Sequence, residues 1–275
     1  MKHSESTVAS ADGTVLYSQS WKADAQKAVI ALVHGFGEHG GRYNYLVDAL
    51  VPQGYSIYAI DLRGHGRSPG KRGHVNQWQE FDQDVAALLK WVKTNEPAAP
   101  IFLMGHSMGG LIVLHYVEQQ PEGLKGVIAS APFLAAAKLS PLLAIASKVL
   151  LKIKPDMNVS TGLDVNTISR DQQEVARYAT DKLVHGLGTP KLDVESRAAI
   201  ERTHANAGKI QLPILLYHGT GDHLVPIAGT RRLAAALTVK DKTFIEYPDG
   251  AHESHNDLHR AQVFADLVGW LDRHI

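Results

Sequence analysis

Ile101-Phe102-Leu103-Met104-Gly105-His106-Ser107-Met108-Gly109-Gly110 is the stretch on which the fold of this chain turns. Its four leading apolar residues suit a short strand buried on both faces. Gly105 to Gly109 then match G-x-S-x-G, and the residues from Met108 to about Gln120 have the character of a helix. A strand, this pattern and a helix in succession make a nucleophile elbow, a turn so sharp that the serine is pushed out toward substrate. Gly105 and Gly109 suit places where a side chain would crowd the turn or the strand beneath it. The helix points its first N–H groups at Ser107, where negative charge would develop during an attack.

Outward from the elbow, strand-like and helix-like segments alternate. Ala28 to Val33, Ser56 to Ile60, Gly126 to Ser130, Pro213 to His218 and Thr243 to Tyr247 join Ile101 to Met104 as strand candidates. The pattern predicts an α/β fold, a mostly parallel sheet with helices on both faces. Thr14 to Trp21 alternates in polarity and reads as an antiparallel edge strand. Trp78, Phe81, Val85, Leu88, Leu89 and Val92 share one helical face, with Asn76 and Gln79 spaced like a capping pair. Arg260 to His274 repeats that spacing through Val263, Phe264, Leu267, Val268 and Leu271.

Between Phe133 and Gln211 the alternation stops, with helical patterns but no convincing strand. We read 1–132 and 212–275 as the core and 133–211 as a helical cap inserted over the sheet's C-terminal edge. Ser140 and Pro141 start a helix that Pro155 ends at about Lys154. Ala144, Ser147, Lys148 and Lys152 leave only a narrow polar stripe on it. The wide apolar arc suits either a helix wedged among other cap segments or a lid that lines an acyl pocket and touches a lipid surface.

Composition excludes several classes. The chain has 275 residues, 44% apolar and 20% charged, as an ordinary globular protein does. Lys+Arg and Asp+Glu both number 28, so nothing electrostatic favours nucleic acid. No cysteine is present, which removes disulfides, thiolate metal sites and cysteine nucleophiles. Met1 to Ser10 lack the apolar core of a secretory signal, and no run of about 18 apolar residues spans a membrane. A cytoplasmic location, with peripheral membrane contact through the cap, fits these features. Oligomeric state stays open.

Serine is a weak nucleophile near neutral pH, so Ser107 needs a base and the base an orienting acid. Asp222 follows the strand ending at His218, and His252 follows the strand ending at Tyr247. Both leave the same sheet edge as Ser107, in the chain order Ser, Asp, His. His255 and His259 compete with His252 among the 15 histidines, as Asp249 and Asp257 do with Asp222. The three C-terminal histidines lack a matching carboxylate cluster on a helical frame, so no metal is assigned. Val33 runs into His34-Gly35-Phe36-Gly37, which is not spaced as a dinucleotide loop. The backbone N–H groups of Phe36 and Met108 are the expected oxyanion hole.

With these parts placed, the chain resembles the monoacylglycerol lipases of the α/β-hydrolase superfamily over nearly its full length. HGFGEHGGRY (34–43), DLRGHGRS (61–68), GHSMGG (105–110), HGTGDHLVP (218–226) and GAHESHND (250–257) carry the resemblance. It implies a triad of Ser107, Asp222 and His252, a family-like cap, no cofactor and a monoacylglycerol substrate. It also implies that Glu38, Arg42 and His255 surround the glycerol end, which suits a small alcohol that needs polar partners. A loop-bracing ion pair is the other reading of Glu38 and Arg42. Ile168 to Arg170 and Tyr178 to His185 look family-like, although Lys182 stands where a proline is usual. Asp61 to Ser68 reads as scaffold. The rival activities are lysophospholipase, carboxylesterase or thioesterase on the same scaffold, and non-catalytic binding of a small apolar ligand.

Overall fold

The structure, a computed structural model, describes residues 1–119, 121–136 and 149–275. Eight strands form one sheet in the order β1-β2-β4-β3-β5-β6-β9-β10. They are β1 (Lys2–Ala9), β2 (Val15–Lys22), β3 (Ala28–Val33), β4 (Tyr55–Ile60), β5 (Ile101–His106), β6 (Leu124–Ser130), β9 (Ile214–Gly219) and β10 (Lys242–Tyr247). From β4 to β10 all neighbours run parallel, while β1 and β2 add an antiparallel flank.

Strand β3 explains why the sheet has two cores. Its six residues are all buried, and successive side chains point to opposite faces. Val29, Ala31 and Val33 join a core with helices α2 (Gln79–Asn95) and α3 (Met108–Val117). Ala28, Ile30 and Leu32 join another with α1 (Asn44–Leu50) and the C-terminal helix α7 (Arg260–Asp272). Leu103 against Phe102 and Met104 on β5, and Leu216 against Leu215 and Tyr217 on β9, divide in the same way. This is the α/β-hydrolase fold, and the continuous apolar runs follow from burial on both faces.

Three differences from the sequence reading have local causes. Strand β2 is not the edge, because β1 pairs along its whole length outside it. Only Val8 of β1 is buried, so no apolar alternation marks that strand. At the start of α2, Asn76 bonds Glu80 instead of Gln79, through its N–H at 3.3 Å and its side-chain amide at 2.9 Å. The helix after the elbow closes at Val117.

Between β6 and β9, residues 149–153 are helical and stop before Pro155; the rest of the helix expected from Ser140 lies outside the described residues. Two short strands, β7 (Val159–Ser160) and β8 (Leu187–Gly188), pair antiparallel. Helix α4 (Gln172–Thr180) places Val175 and Tyr178 with Ile168 in a small core of their own. Helix α5 (Pro190–Ala205) instead gives Leu192, Ala199 and Ile200 to the α2–α3 core. Among the described residues, no helix is long and apolar enough to cross a membrane.

Parallel register aligns the strand ends. Val33 pairs with Ile60 and Gly105, His106 with Ser130, Ser130 with Tyr217, and Gly219 with Tyr247. The loops after β3, β5, β9 and β10 therefore emerge side by side, which is where open parallel sheets bind ligands.

Candidate active site

Ser107 sits at the junction of β5 and α3 with φ 54° and ψ −117°, a conformation rare for a residue with a side chain. Holding it there costs about 1–3 kcal/mol, met by the packing around it. Its N–H donates to Ser130 C=O at 2.9 Å, and its C=O accepts from Phe133 N–H at 2.9 Å. A methyl group on Gly105 would collide with Gly109 C=O, and one on Gly109 with the carbonyls of Val33 and His34. Helix α3 thus lies directly on β3 and β5, its first N–H groups at Ser107.

Asp222 lies in the turn after β9 with its side chain inaccessible. Oδ1 accepts from Leu224 N–H at 2.8 Å and Val225 N–H at 2.9 Å. Oδ2 lies 2.6 Å from His252 Nδ1 and 3.0 Å from His218 Nε2. Burial alone would raise the Asp222 pKa, but the His252 charge, both histidine bonds and the Val225 N–H hold it well below the usual carboxylate range. His252, buried after β10, is shifted the other way: burial opposes its charge, yet the Asp222 carboxylate raises its pKa above 6.5. Its ring lies 4.7 Å from that of His106, the residue before Ser107.

The loop after β3 is held from two sides. Gly35 is so near the elbow that a Cβ on it would lie 3.2 Å from Ser107 Cβ. His34 Nε2 accepts from Leu62 N–H at 2.9 Å, so Nδ1 carries the proton and donates to Gly35 C=O at 2.7 Å. Glu38 Oε1 accepts from Gly35 N–H at 2.6 Å. On the outer side, Gly37 C=O accepts from His185 N–H at 2.8 Å, and the Phe36 ring meets those of His65 and His185 edge-on. Gly37 has φ +73°, and a side chain there would strike His185 C=O. The expected oxyanion donors, Phe36 and Met108, thus belong to a fixed loop and to the first residue of α3.

Glu38, the Arg42 side chain and His255 come together beneath this loop, with Glu38 and His255 buried. Tyr43 donates to Glu38 Oε1 at 2.8 Å, and Arg42 Nη1 to Oε2 at 2.7 Å. Arg42 also grips Glu253 through two bonds of 2.6 and 2.8 Å and lies over the Tyr178 ring. Burial and the nearby Glu253 charge raise the Glu38 pKa; Glu253 is lowered because Arg42 outweighs its burial. His255 stacks on Tyr43 at 4.7 Å, and neither of its ring nitrogens has a hydrogen-bond partner. Burial and the Arg42 and His252 charges push its pKa down to about 4.

The competing carboxylates and histidines lie elsewhere. Asp257 accepts from Ala251 N–H at 2.8 Å and from Arg170 N–H and Nε at 2.9 Å, joining the His252 loop to the stretch between β6 and β9. His259 lies 3.2 Å from Asp257, and Asp249 is exposed in a left-handed turn. Among the described residues, no group of three or more histidines and carboxylates is placed to hold a metal ion. Sequence reasoning missed Glu253, Tyr43 and His218: Glu253 meets Arg42 from a loop far away in the chain, whereas Tyr43 and His218 bond carboxylates five and four residues away, at spacings that no strand or helix pattern marks.

A family model for serine aminopeptidase, S33, matches residues 24–259. The monoacylglycerol lipase of Mycolicibacterium smegmatis is 33% identical, covering 99% of this chain and 98% of that protein. The crystal structure of Paleococcus ferrophilus monoacylglycerol lipase superimposes with a TM-score of 0.85 at 38% identity, over 94% of this chain and 99% of that one. The chain belongs to the monoacylglycerol lipase family. Phospholipase YtpA of Bacillus subtilis is also similar, 30% identical over 93% of this chain and 99% of that protein. In this monoacylglycerol lipase family member, Ser107, Asp222 and His252 come from the ends of three different strands.

Proposed function

We propose that the protein is a serine hydrolase that cleaves monoacylglycerols to a free fatty acid and glycerol. The observation that carries the reading is the 2.6 Å contact between Asp222 Oδ2 and His252 Nδ1, where the His252 ring lies 4.7 Å from that of His106 in the Ser107 elbow. His252 takes the Ser107 proton as Oγ attacks the ester carbonyl, and the Phe36 and Met108 N–H groups receive the oxyanion. The C–O bond to glycerol breaks and His252 returns the proton to the departing alkoxide. Water, deprotonated by His252, then attacks the acyl-enzyme and releases the acid. Asp222 holds the imidazole tautomer and balances its positive charge. This chemistry uses no cofactor.

Glu38, Arg42 and His255 border the glycerol end in this reading. Glu38 and Arg42 bond each other, and also Gly35, Tyr43 and Glu253, so they act by shaping the loop. His255, with two unpartnered nitrogens, is the group with capacity left for a glycerol hydroxyl. Residues 133–211 serve as the cap over a core of 1–132 and 212–275. Val149 and Ile153 of the cap, exposed by 50% and 73%, offer apolar contact to a lipid surface beside Lys152 and Lys154.

Similarity to a phospholipase favours lysophospholipid as a second reading. Turnover of monoacylglycerol, lysophospholipid and p-nitrophenyl esters by purified protein, with Ser107→Ala alongside, tests both. A higher kcat/KM on lysophospholipid overturns the glycerol assignment, and an active Ser107→Ala overturns the mechanism.

A further inference from the structure

Asp222 Oδ2 accepts from two histidines, and only one of them belongs to the triad. His218 is the penultimate residue of β9, fully buried, on a strand paired on both sides by β6 and β10. Its Nε2 lies 3.0 Å from Asp222 Oδ2 and 3.0 Å from Val225 C=O. Both neighbours are acceptors, so Nε2 carries a proton and shares it between them. Its Nδ1 lies 2.8 Å from Oγ1 of Thr230, a buried residue of helix α6 (Ile227–Ala236). A hydroxyl donates or accepts, so Thr230 satisfies that atom and fixes the ring plane.

Two backbone N–H groups hold Oδ1, so Oδ2 is placed by the two histidines alone: His218, and His252, whose Nδ1–H stays bonded to it while its Nε2 exchanges a proton in each turnover. We propose that His218 is a positioning residue for catalysis: it anchors Asp222 Oδ2 from the rigid sheet and takes up part of the carboxylate's charge. Thr230, His218, Asp222 and His252 then form one chain of hydrogen bonds ending beside Ser107. This rests on the triad assigned above.

The test compares His218→Leu, which removes the donor, with His218→Gln, whose amide reaches the Nε2 position. By analogy with the outer hydrogen-bond partners of metal ligands, whose loss lowers activity by about 10- to 100-fold, His218→Leu should lose that much kcat with little change in KM. With one donor gone, more of the Asp222 charge falls on the imidazolium, and the acidic limb of kcat/KM moves up by on the order of half a pH unit. His252 is also faced by the His106 ring and the charges of Glu253 and Glu38, and His218 by Glu246; all are unchanged in these variants. His218→Gln should recover most of the lost kcat and return the limb.

Should His218→Leu not fold, Thr230→Val keeps the shape and removes the support, with a smaller fall in kcat and the same direction of shift. Wild-type kcat and an unmoved limb in the variant that folds overturn the proposal. Equal losses in His218→Leu and His218→Gln with an unmoved limb do so too, because they mark a packing role. Ser107→Ala separates the two levels: if it is inactive while His218→Leu is normal, only the role of His218 falls, and if it is active both fall.

Discussion

Arg42 meets Glu253, the residue after His252, through two parallel hydrogen bonds, and its remaining charge is shared with Glu38. One cation therefore serves two buried carboxylates, and it ties the loop after β3 to the loop after β10. Removing one partner of a buried ion pair costs about 3–5 kcal/mol, because the charge left behind stays desolvated. Arg42→Met should lower the urea midpoint accordingly, while Glu253→Gln, which keeps a neutral acceptor for Arg42, should cost less. Equal, small effects would mean that the network is held elsewhere.

The largest kinetic effects should come from the proposed triad. Ser107→Ala and His252→Ala should each reduce turnover by on the order of 10⁶ with the fold intact. Asp222→Asn should retain more activity, losing about 10⁴ by analogy with the same change in serine proteases. Steady-state rates with circular dichroism check both, and a fluorophosphonate probe should label wild type but not Ser107→Ala.

Activity and stability should respond to pH in opposite senses through His252. In its proposed role of general base it must be neutral, and its pKa is raised above 6.5, so kcat/KM should climb through a limb above that value. A raised folded pKa stabilises the protein below the unfolded pKa, and that contribution is lost as pH rises through the folded one. Asp222, whose pKa is depressed from 3.8, stabilises above that value and loses its contribution as pH falls through its lower folded pKa. Urea titrations across the activity limb, in wild type and His252→Gln, measure the histidine part as a slope present in the first and absent from the second.

Gly37 has a left-handed φ and no room for a side chain beneath His185 C=O. Gly37→Ala should shift the Phe36 N–H and lower kcat, toward the roughly 10²–10³ seen when an oxyanion donor is removed. KM should change much less, since the acyl and glycerol contacts remain. Unaltered kcat in a folded Gly37→Ala protein would exclude Phe36 from the oxyanion hole.

Val149 and Ile153 are exposed apolar residues of the proposed cap. Changing both to serine should weaken sedimentation with lipid vesicles while leaving hydrolysis of a water-soluble p-nitrophenyl ester intact. Unchanged vesicle binding would place lipid contact on another face.

The elbow and the strands on either side of it were legible because burial on both faces forces continuous apolar runs. The sheet-edge positions of Asp222 and His252 followed from strand ends, which turn residues mark. Strand β1 was not legible, since its exposed polar residues give no periodic signal. Helix α5 lies in the stretch read as cap yet sends Leu192, Ala199 and Ile200 into the main core, and sequence spacing does not say which core a helix joins. Glu253 and His218 were hidden differently: Glu253 gains Arg42 only when two distant loops converge, and His218 meets Asp222 only because the turn after β9 folds back on its own strand.

The loop bearing Phe36 is pinned at Gly35 by Glu38 and at Gly37 by the His185 backbone. The first pin belongs to the loop itself, the second to the stretch between β6 and β9. Any opening that carries residue 185 away to admit a lipid releases the second pin and sends Gly37 C=O to water. The proposed oxyanion donor Phe36 is then braced on both sides only while residue 185 stays in place.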